Sequence, residues 1–416
     1  MIFMPATSFR FSVGCVFLFA SLAFVVKGDD VNHASLNHAS LDVLCGIDVL
    51  VRDGFRVLNG AKVGLITNQT GVDRSLTPTS LLLHQASNVE LVTLFSPEHG
   101  IAGKLDQTSI DDMVDEATGA RVQSLYGQTR KPTLEMLTGI DTIVFDIQDI
   151  GTRFYTYIAT MGEAMQAAEE HQLKFIVLDR PNPINGVDIA GPILDDGKQS
   201  FTGFHTLPVR HGMTAGELAQ MFKAERFPNL KLQVVRCEGW RRESYFDATG
   251  LFWINPSPNM RNLNQAILYP GIGILEYTNV SVGRGTDTPF EHFGAPWIDA
   301  RKLAAYLNSL RLPGVAFIPE KFTPNASKYE NETCEGVRIL IIDRATIRPV
   351  EVGLTIASSL RRLHADDWEI EPLNRLLCSD VVFRAIEAGE LANAVALKSE
   401  QGIDLFKLRR APFLIY

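Results

Sequence analysis

Four short apolar runs recur in the first half of the chain, each bounded by polar or turn-forming residues: Lys62–Thr67 (KVGLIT), Glu90–Phe95 (ELVTLF), Thr142–Ile147 (TIVFDI) and Lys174–Leu178 (KFIVL). Runs this short and continuous fit strands buried on both faces. Between them, Thr77–Gln85 and Ile158–His171 carry helix-compatible sequence. The alternation predicts βαβ units, hence a Rossmann-like parallel sheet with helices on both faces. After Pro256 the pattern changes to turn-rich sequence, followed by a helix candidate at Ala300–Leu310, a strand candidate at Val337–Ile342 and a helical region at Leu354–His364. A smaller mixed α+β domain is expected there, with residues 42–265 forming the sheet domain and 266–416 a C-terminal domain closing a cleft against it.

Each predicted strand ends on polar residues: Asn68-Gln69-Thr70-Gly71, Glu98-His99-Gly100, Gln148-Asp149-Ile150-Gly151 and Asp179-Arg180-Pro181-Asn182. In an open parallel sheet the carboxyl ends share one edge, where ligands bind. One such loop is ordinary; four together predict a crevice. Glu98, between Pro97 and Gly100, suits general acid or base work if its surroundings favour the protonated form. Its structural alternatives are capping the next helix or pairing with an arginine such as Arg153.

A second carboxylate is needed for most glycoside chemistry, unless a substrate group replaces it. Glu276, which follows the apolar GIGIL as Glu98 follows VTLF, is the first candidate; Glu291, Asp149 and Asp179 are the others. Arg153-Phe154-Tyr155-Thr156-Tyr157 places an arginine and two tyrosines after the third strand. Such rings stack on sugars, and a guanidinium grips a carboxylate, although a packed helix start explains Tyr155 and Tyr157 equally well.

Composition narrows the class. The chain has 416 residues, 46% hydrophobic and 21% charged, with net charge −9 and no long basic run, which disfavours nucleic-acid or anionic-membrane binding. Arg10 precedes the apolar stretch Phe11–Val26, so residues 1–28 read as a signal peptide, with a membrane anchor as the alternative and 29–41, which holds the repeat NHASLNHASL, as a spacer. Cys15 lies too early in that stretch for lipid attachment. Cys45, Cys237, Cys334 and Cys378 are too far apart for a zinc motif, but compatible with one or two disulfides in an exported protein. The segment Gly283–Thr286 (GRGT) lacks phosphate-loop spacing, and neither GxGxxG, HExxH nor GxSxG occurs. Neither a nucleotide cofactor nor a metal is expected, although the Glu98-His99 and Glu291-His292 pairs keep a metal site open as an alternative.

With these residues in hand, the sequence resembles the NamZ-like exo-β-N-acetylmuramidases. The resemblance rests on GLITNQTGVD, LFSPEHGIAG, SLYGQTRKPT, VFDIQDIGTRFYTYIATM, VLDRPNPINGVDIAGP, LPVRHGMTAGELA, NPSPNM, LYPGIGILEYTNVSVGRGTDTPFEHFGAPW and FLIY, in order from Cys45 to Tyr416. It implies a secreted or periplasmic hydrolase that removes terminal N-acetylmuramic acid from the non-reducing end of peptidoglycan fragments. It implies a Rossmann-type domain without nucleotide, and an active site between two domains. Glu98 matches the expected acid or base of SPEHG; Glu276 matches the glutamate of the family's LEGTN, with Tyr277 where glycine is usual. The lactyl carboxylate of muramic acid calls for a cation, for which Arg153 and Arg284 are candidates. The full set of expected substrate contacts is Asn68, His99, Asp149, Arg153, Tyr155, Tyr157, Asp179, Asn182, His211, Asn259, Asn279, Arg284 and Glu291. Two competing readings are an exported cell-wall sugar-binding protein without catalysis, and a metal-dependent cell-wall deacetylase or amidase.

Overall fold

The computed structural model describes residues 42–103 and 113–416; the expected signal segment, the spacer and Cys15 lie outside the described residues. Nine strands come from the first part of the chain: β1 (Ala61–Thr67), β2 (Val89–Ser96), β3 (Met113–Val114), β4 (Arg121–Ser124), β5 (Thr142–Asp146), β6 (Lys174–Leu178), β7 (Ala190–Ile193), β8 (Pro208–Arg210) and β9 (Lys231–Val235). β7 and β8 pair separately, and the other seven form one sheet in the order β3-β4-β2-β1-β5-β6-β9. Every pairing in it is parallel except the short edge pair β3–β4. Without β3, the parallel strands lie in the order of a doubly wound dinucleotide fold, with the reversal between β1 and β5.

The sheet is buried on both faces by helices, which explains why its central strands read as unbroken apolar runs. Side chains alternate between two cores. Ile143, Phe145, Phe175 and Val177 face α3 (Tyr157–Glu170) and α4 (Ala215–Arg226), while Val63, Leu65, Val144 and Ile176 face α1 (Gly46–Arg52) and α2 (Thr79–Gln85). α4 begins at a capping box in which Thr214 Oγ1 accepts from the Glu217 N–H at 3.2 Å and Glu217 Oε2 accepts from the Thr214 N–H at 3.0 Å.

The second part of the chain supplies α5 (Leu263–Ile272), β10 (His292–Ala295), α6 (Ala300–Ser309), β11 (Val315–Phe322), β12 (Cys334–Ile341) and α7 (Pro349–Leu363), then four short helices, α8 (Asn374–Leu377), α9 (Asp380–Glu387), α10 (Ala392–Ser399) and α11 (Ile403–Arg410). β10, β12 and β11 form a small antiparallel sheet with β12 in the middle. α5 and α7 cross at a glycine contact: a Cβ on Gly353 would lie 2.1 Å from the Gly271 carbonyl oxygen. Only glycine permits that approach. The core on the α3–α4 face continues without a break into α5, α6, α7 and the antiparallel sheet. The last residue also returns to the parallel sheet, where the Tyr416 hydroxyl donates to Asp179 at 2.7 Å. Cys45, Cys237, Cys334 and Cys378 are all buried free thiols.

Candidate active site

β2 is buried over its last four residues, Thr93–Ser96, and the chain then turns sharply at Pro97-Glu98-His99-Gly100. His99 and Gly100 both take left-handed backbone angles (φ 70° and 74°), and the Gly100 N–H closes the turn on the Pro97 carbonyl at 3.1 Å. The turn leaves Glu98 half-buried at the wall of a cavity of about 840 Å³. That size suits a small sugar ligand. A neighbouring hydroxyl bonds the Glu98 carboxylate. Thr156 donates to Oε2, and as the residue preceding α3 it makes no capping bond of its own. The Tyr126 phenol is pushed up by burial and then by the Glu98 charge.

The cavity wall is built by the first turn of α3 and two clamped loops. Tyr157 donates to the Pro256 carbonyl at 2.5 Å and Gln69 Nε2 to the Asn255 carbonyl at 2.7 Å, fixing the loop that carries Ser257, Asn259 and Arg261 into the lining. Glu276 and Arg284 also line the cavity. Glu276 does not follow a strand as Glu98 does: GIGIL is the end of α5 and a single 3₁₀ turn. It nevertheless lines the same cavity as Glu98, and Arg284 Nε donates to its Oε1. Lys328 fixes the same loop by donating to the carbonyls of Glu276 at 3.0 Å and of Thr278, and burial pushes its ammonium down.

Of the expected contacts, His99, Tyr155, Tyr157, Asn259 and Arg284 line the cavity with the two glutamates. The tyrosines do so as buried walls. Tyr155 packs edge-to-face on Tyr157 and Tyr269 with ring centroids 5.0 and 5.9 Å away, and Tyr269 packs on Phe290 at 4.7 Å. Burial pushes all three phenols up, so they stay neutral donors.

The remaining expected residues are placed as scaffold. Arg153 is buried with its terminal nitrogens donating to the carbonyls of Pro192, Leu207, Leu376 and Leu377, and so is not placed to grip a substrate carboxylate. Asp179 accepts from Thr214, Gly216 and Tyr416, each at 2.7 Å. Asn182 bonds the Met213 carbonyl and the Ile184 N–H, and Asn279 bonds main-chain groups of Asp367 and Glu369. Glu291 accepts from Asn262 and Gln265 at 3.0 and 3.1 Å, while its neighbour His292 bonds Glu320 and Thr286 at 2.8 and 2.9 Å. That pair is therefore engaged separately, and among the described residues no cluster of His, Cys, Asp and Glu could hold a metal. Asn68 turns its Oδ1 to Thr70 at 2.6 Å.

Asp149 and His211 form a buried pair outside the cavity lining, with Asp149 Oδ2 3.8 Å from His211 Nε2. Asp149 Oδ2 accepts the Gly151 N–H at 2.7 Å; its Oδ1 and His211 Nε2 have no hydrogen-bond partner among the described residues. Burial pushes Asp149 up to about 7 and His211 down to about 3. An unfolded aspartate ionises near 4, so between about pH 4 and 7 the folded state holds a proton that the unfolded state lacks, and this carboxyl costs stability as pH rises. His211 acts oppositely, losing stability as pH falls below about 6.5. Comparing Asp149→Asn with the parent isolates the carboxyl: by denaturant titration, the variant's relative stability should rise by about 2–4 kcal/mol from pH 4 to 8. A difference that stays flat with pH contradicts the assignment.

Several lining residues were not expected from the sequence: Thr156, Arg261, Tyr269, Tyr277 and Lys328. Thr156 sits inside the RFYTY motif, and Tyr277 directly follows a candidate acid; for Lys328 no sequence signal existed. The point where the strand order reverses, by contrast, is filled. Arg180 Nε donates to Asp146 Oδ1 at 2.6 Å and its Nη2 to the Val72 carbonyl at 2.8 Å, across the edge between β1, β5 and β6.

Residues 63–264 match the family described as Exo-beta-N-acetylmuramidase NamZ, N-terminal, and residues 267–416 its C-terminal counterpart. The chain is 40% identical over 417 residues to the peptidoglycan beta-N-acetylmuramidase NamZ of Bacillus subtilis (strain 168), covering 99% of this chain and 100% of that protein. Two crystal structures of DUF1343 family proteins from Bacteroides fragilis NCTC 9343 are similar, one at 39% identity with TM-score 0.84 and the other at 30% with TM-score 0.73. Each alignment covers 90% of this chain and 99% of the other. The chain belongs to the NamZ exo-β-N-acetylmuramidase family, a family of glycoside hydrolases.

Proposed function

We propose that the protein is an exo-acting glycoside hydrolase that releases N-acetylmuramic acid from the non-reducing end of peptidoglycan fragments such as the MurNAc-GlcNAc disaccharide. The observation that carries this reading is one cavity whose lining brings together Glu98, Glu276, buried aromatic rings and three cations, Arg261, Arg284 and Lys328. Glu98 is the acid that protonates the departing glycosidic oxygen, and Thr156 holds its carboxyl in one orientation. Glu276 is the second carboxylate, serving the anomeric side of the sugar; should the substrate's 2-acetamido group act as nucleophile, Glu276 instead orients and balances charge. The cations meet the lactyl carboxylate, the group that separates muramic acid from glucosamine.

The Arg284–Glu276 ion pair bears on how this is tested. Replacing Arg284 disturbs the substrate cation and the second carboxylate together, so an Arg284 variant does not isolate recognition of the lactyl group. A substrate-side test does. The protein should release the terminal sugar from MurNAc-GlcNAc at least a hundredfold faster than from GlcNAc-MurNAc. Comparable rates on both, or cleavage of GlcNAc-MurNAc alone, would overturn the reading. Arg10 and the apolar run Phe11–Val26 support export to the periplasm or medium, where such fragments arise. The net charge of −9 supports a partner set without nucleic acid.

A further inference from the structure

An exo-hydrolase needs a cavity that is closed around the terminal sugar and open where the leaving chain departs. Burial distinguishes the two ends. Phe154, Tyr155, Tyr157, Tyr269 and Phe290 line the cavity while almost wholly buried, packed against one another. Tyr277 lines the same cavity with 43% of its surface exposed. It immediately follows Glu276 and lines the cavity with Glu276 and Glu98; burial pushes its phenol up, and the two carboxylate charges push it further. The Arg375 guanidinium stands 5.4 Å from its ring centroid. Tyr277 thus lines the cavity from its half-exposed part, unlike the five buried rings of the wall.

We infer that Tyr277, backed by Arg375, is the platform on which the leaving sugar of the substrate stacks, so that it sets preference for the group on the reducing side of the scissile bond. An aromatic ring suits the apolar face of a pyranose, and the cation over the ring limits the positions the ring can take. The inference rests on the proposed hydrolase reading, because only a glycosidase has a leaving sugar. Tyr277 binds in this account and takes no part in bond making. Its replacement therefore weakens binding of substrates that carry a ring beyond the bond.

The test compares MurNAc-GlcNAc with N-acetylmuramyl fluoride, which has no sugar to stack. With Tyr277→Ala, KM for the disaccharide should rise about tenfold with little change in kcat, while kcat/KM for the fluoride should fall several-fold less. Tyr277→Phe, which keeps the ring, should restore most of the disaccharide KM. Equal losses on both substrates would show that Tyr277 shapes the site as a whole, and unchanged KM on both would show that the ring binds nothing; either result overturns the inference. If the parent protein hydrolyses neither substrate, the hydrolase reading fails first, a result separable from any effect of Tyr277.

Discussion

Glu98→Gln is expected to lower kcat on MurNAc-GlcNAc by about three to four orders of magnitude, with KM changed by less than about fivefold. Glutamine has nearly the same shape and still accepts the Thr156 hydrogen bond, so the cavity stays intact while the exchangeable proton is lost. The split between kcat and KM is the informative part. A sugar-binding protein with the same cleft would show no turnover to lose and would register the substitution only in affinity. Steady-state release of free N-acetylmuramic acid by parent and variant measures it; a loss under tenfold would remove Glu98 from the chemistry. Thr156→Val should give a smaller loss, since it frees the carboxyl to rotate without removing it.

The second large effect concerns stability. Asp146 and Arg180 are buried where the strand order reverses, joined at 2.6 and 2.9 Å, with the Thr79 hydroxyl also bonded to Asp146 at 2.5 Å. Removing one partner of such a pair leaves an uncompensated charge in the interior. Asp146→Ala should therefore cost about 3–5 kcal/mol, read as a lower urea midpoint with unchanged slope. The double substitution Asp146→Leu with Arg180→Met should recover much of that loss, because an apolar pair avoids the desolvation cost. A single-variant cost under about 1 kcal/mol would mean that water reaches the pair. The pair also has a consequence for ligand binding: it occupies the place where doubly wound folds hold a dinucleotide, and the cavity holding Glu98 and Glu276 lies instead beside β2 and α3.

The strands legible in the sequence were mostly the apolar parallel ones of the central sheet, together with Val337–Ile342, which overlaps β12 of the antiparallel sheet. β1, β2, β5 and β6 fall within a residue or so of the runs KVGLIT, ELVTLF, TIVFDI and KFIVL. β4 (RVQS) and β9 (KLQVV) gave no such signal, since one is short and the other is a half-exposed edge strand. In the site, Pro97 and Gly100 marked Glu98 because a turn this tight needs unusual backbone angles. The other strand-end residues were harder to assign. A crowded sheet edge leaves main-chain carbonyls and N–H groups without partners, and polar side chains are needed to satisfy them. Arg153, Asp179 and Asn182 do that work, and their sequence pattern is the same as that of ligand contacts. Glu276 was singled out through a mistaken analogy: the apolar run before it is a helix end and a 3₁₀ turn rather than a strand, and it reaches the cavity from there.

The most direct measurement is a crystal structure of Glu98→Gln with MurNAc-GlcNAc bound. The account predicts the muramyl ring inside the cavity of about 840 Å³, its glycosidic oxygen within hydrogen-bond reach of residue 98 and its lactyl carboxylate against the cations of the 261, 284 and 328 side chains. Disaccharide bound at the reversal point beside Arg180, or in the cavity with its glycosidic bond turned away from residue 98, would contradict it.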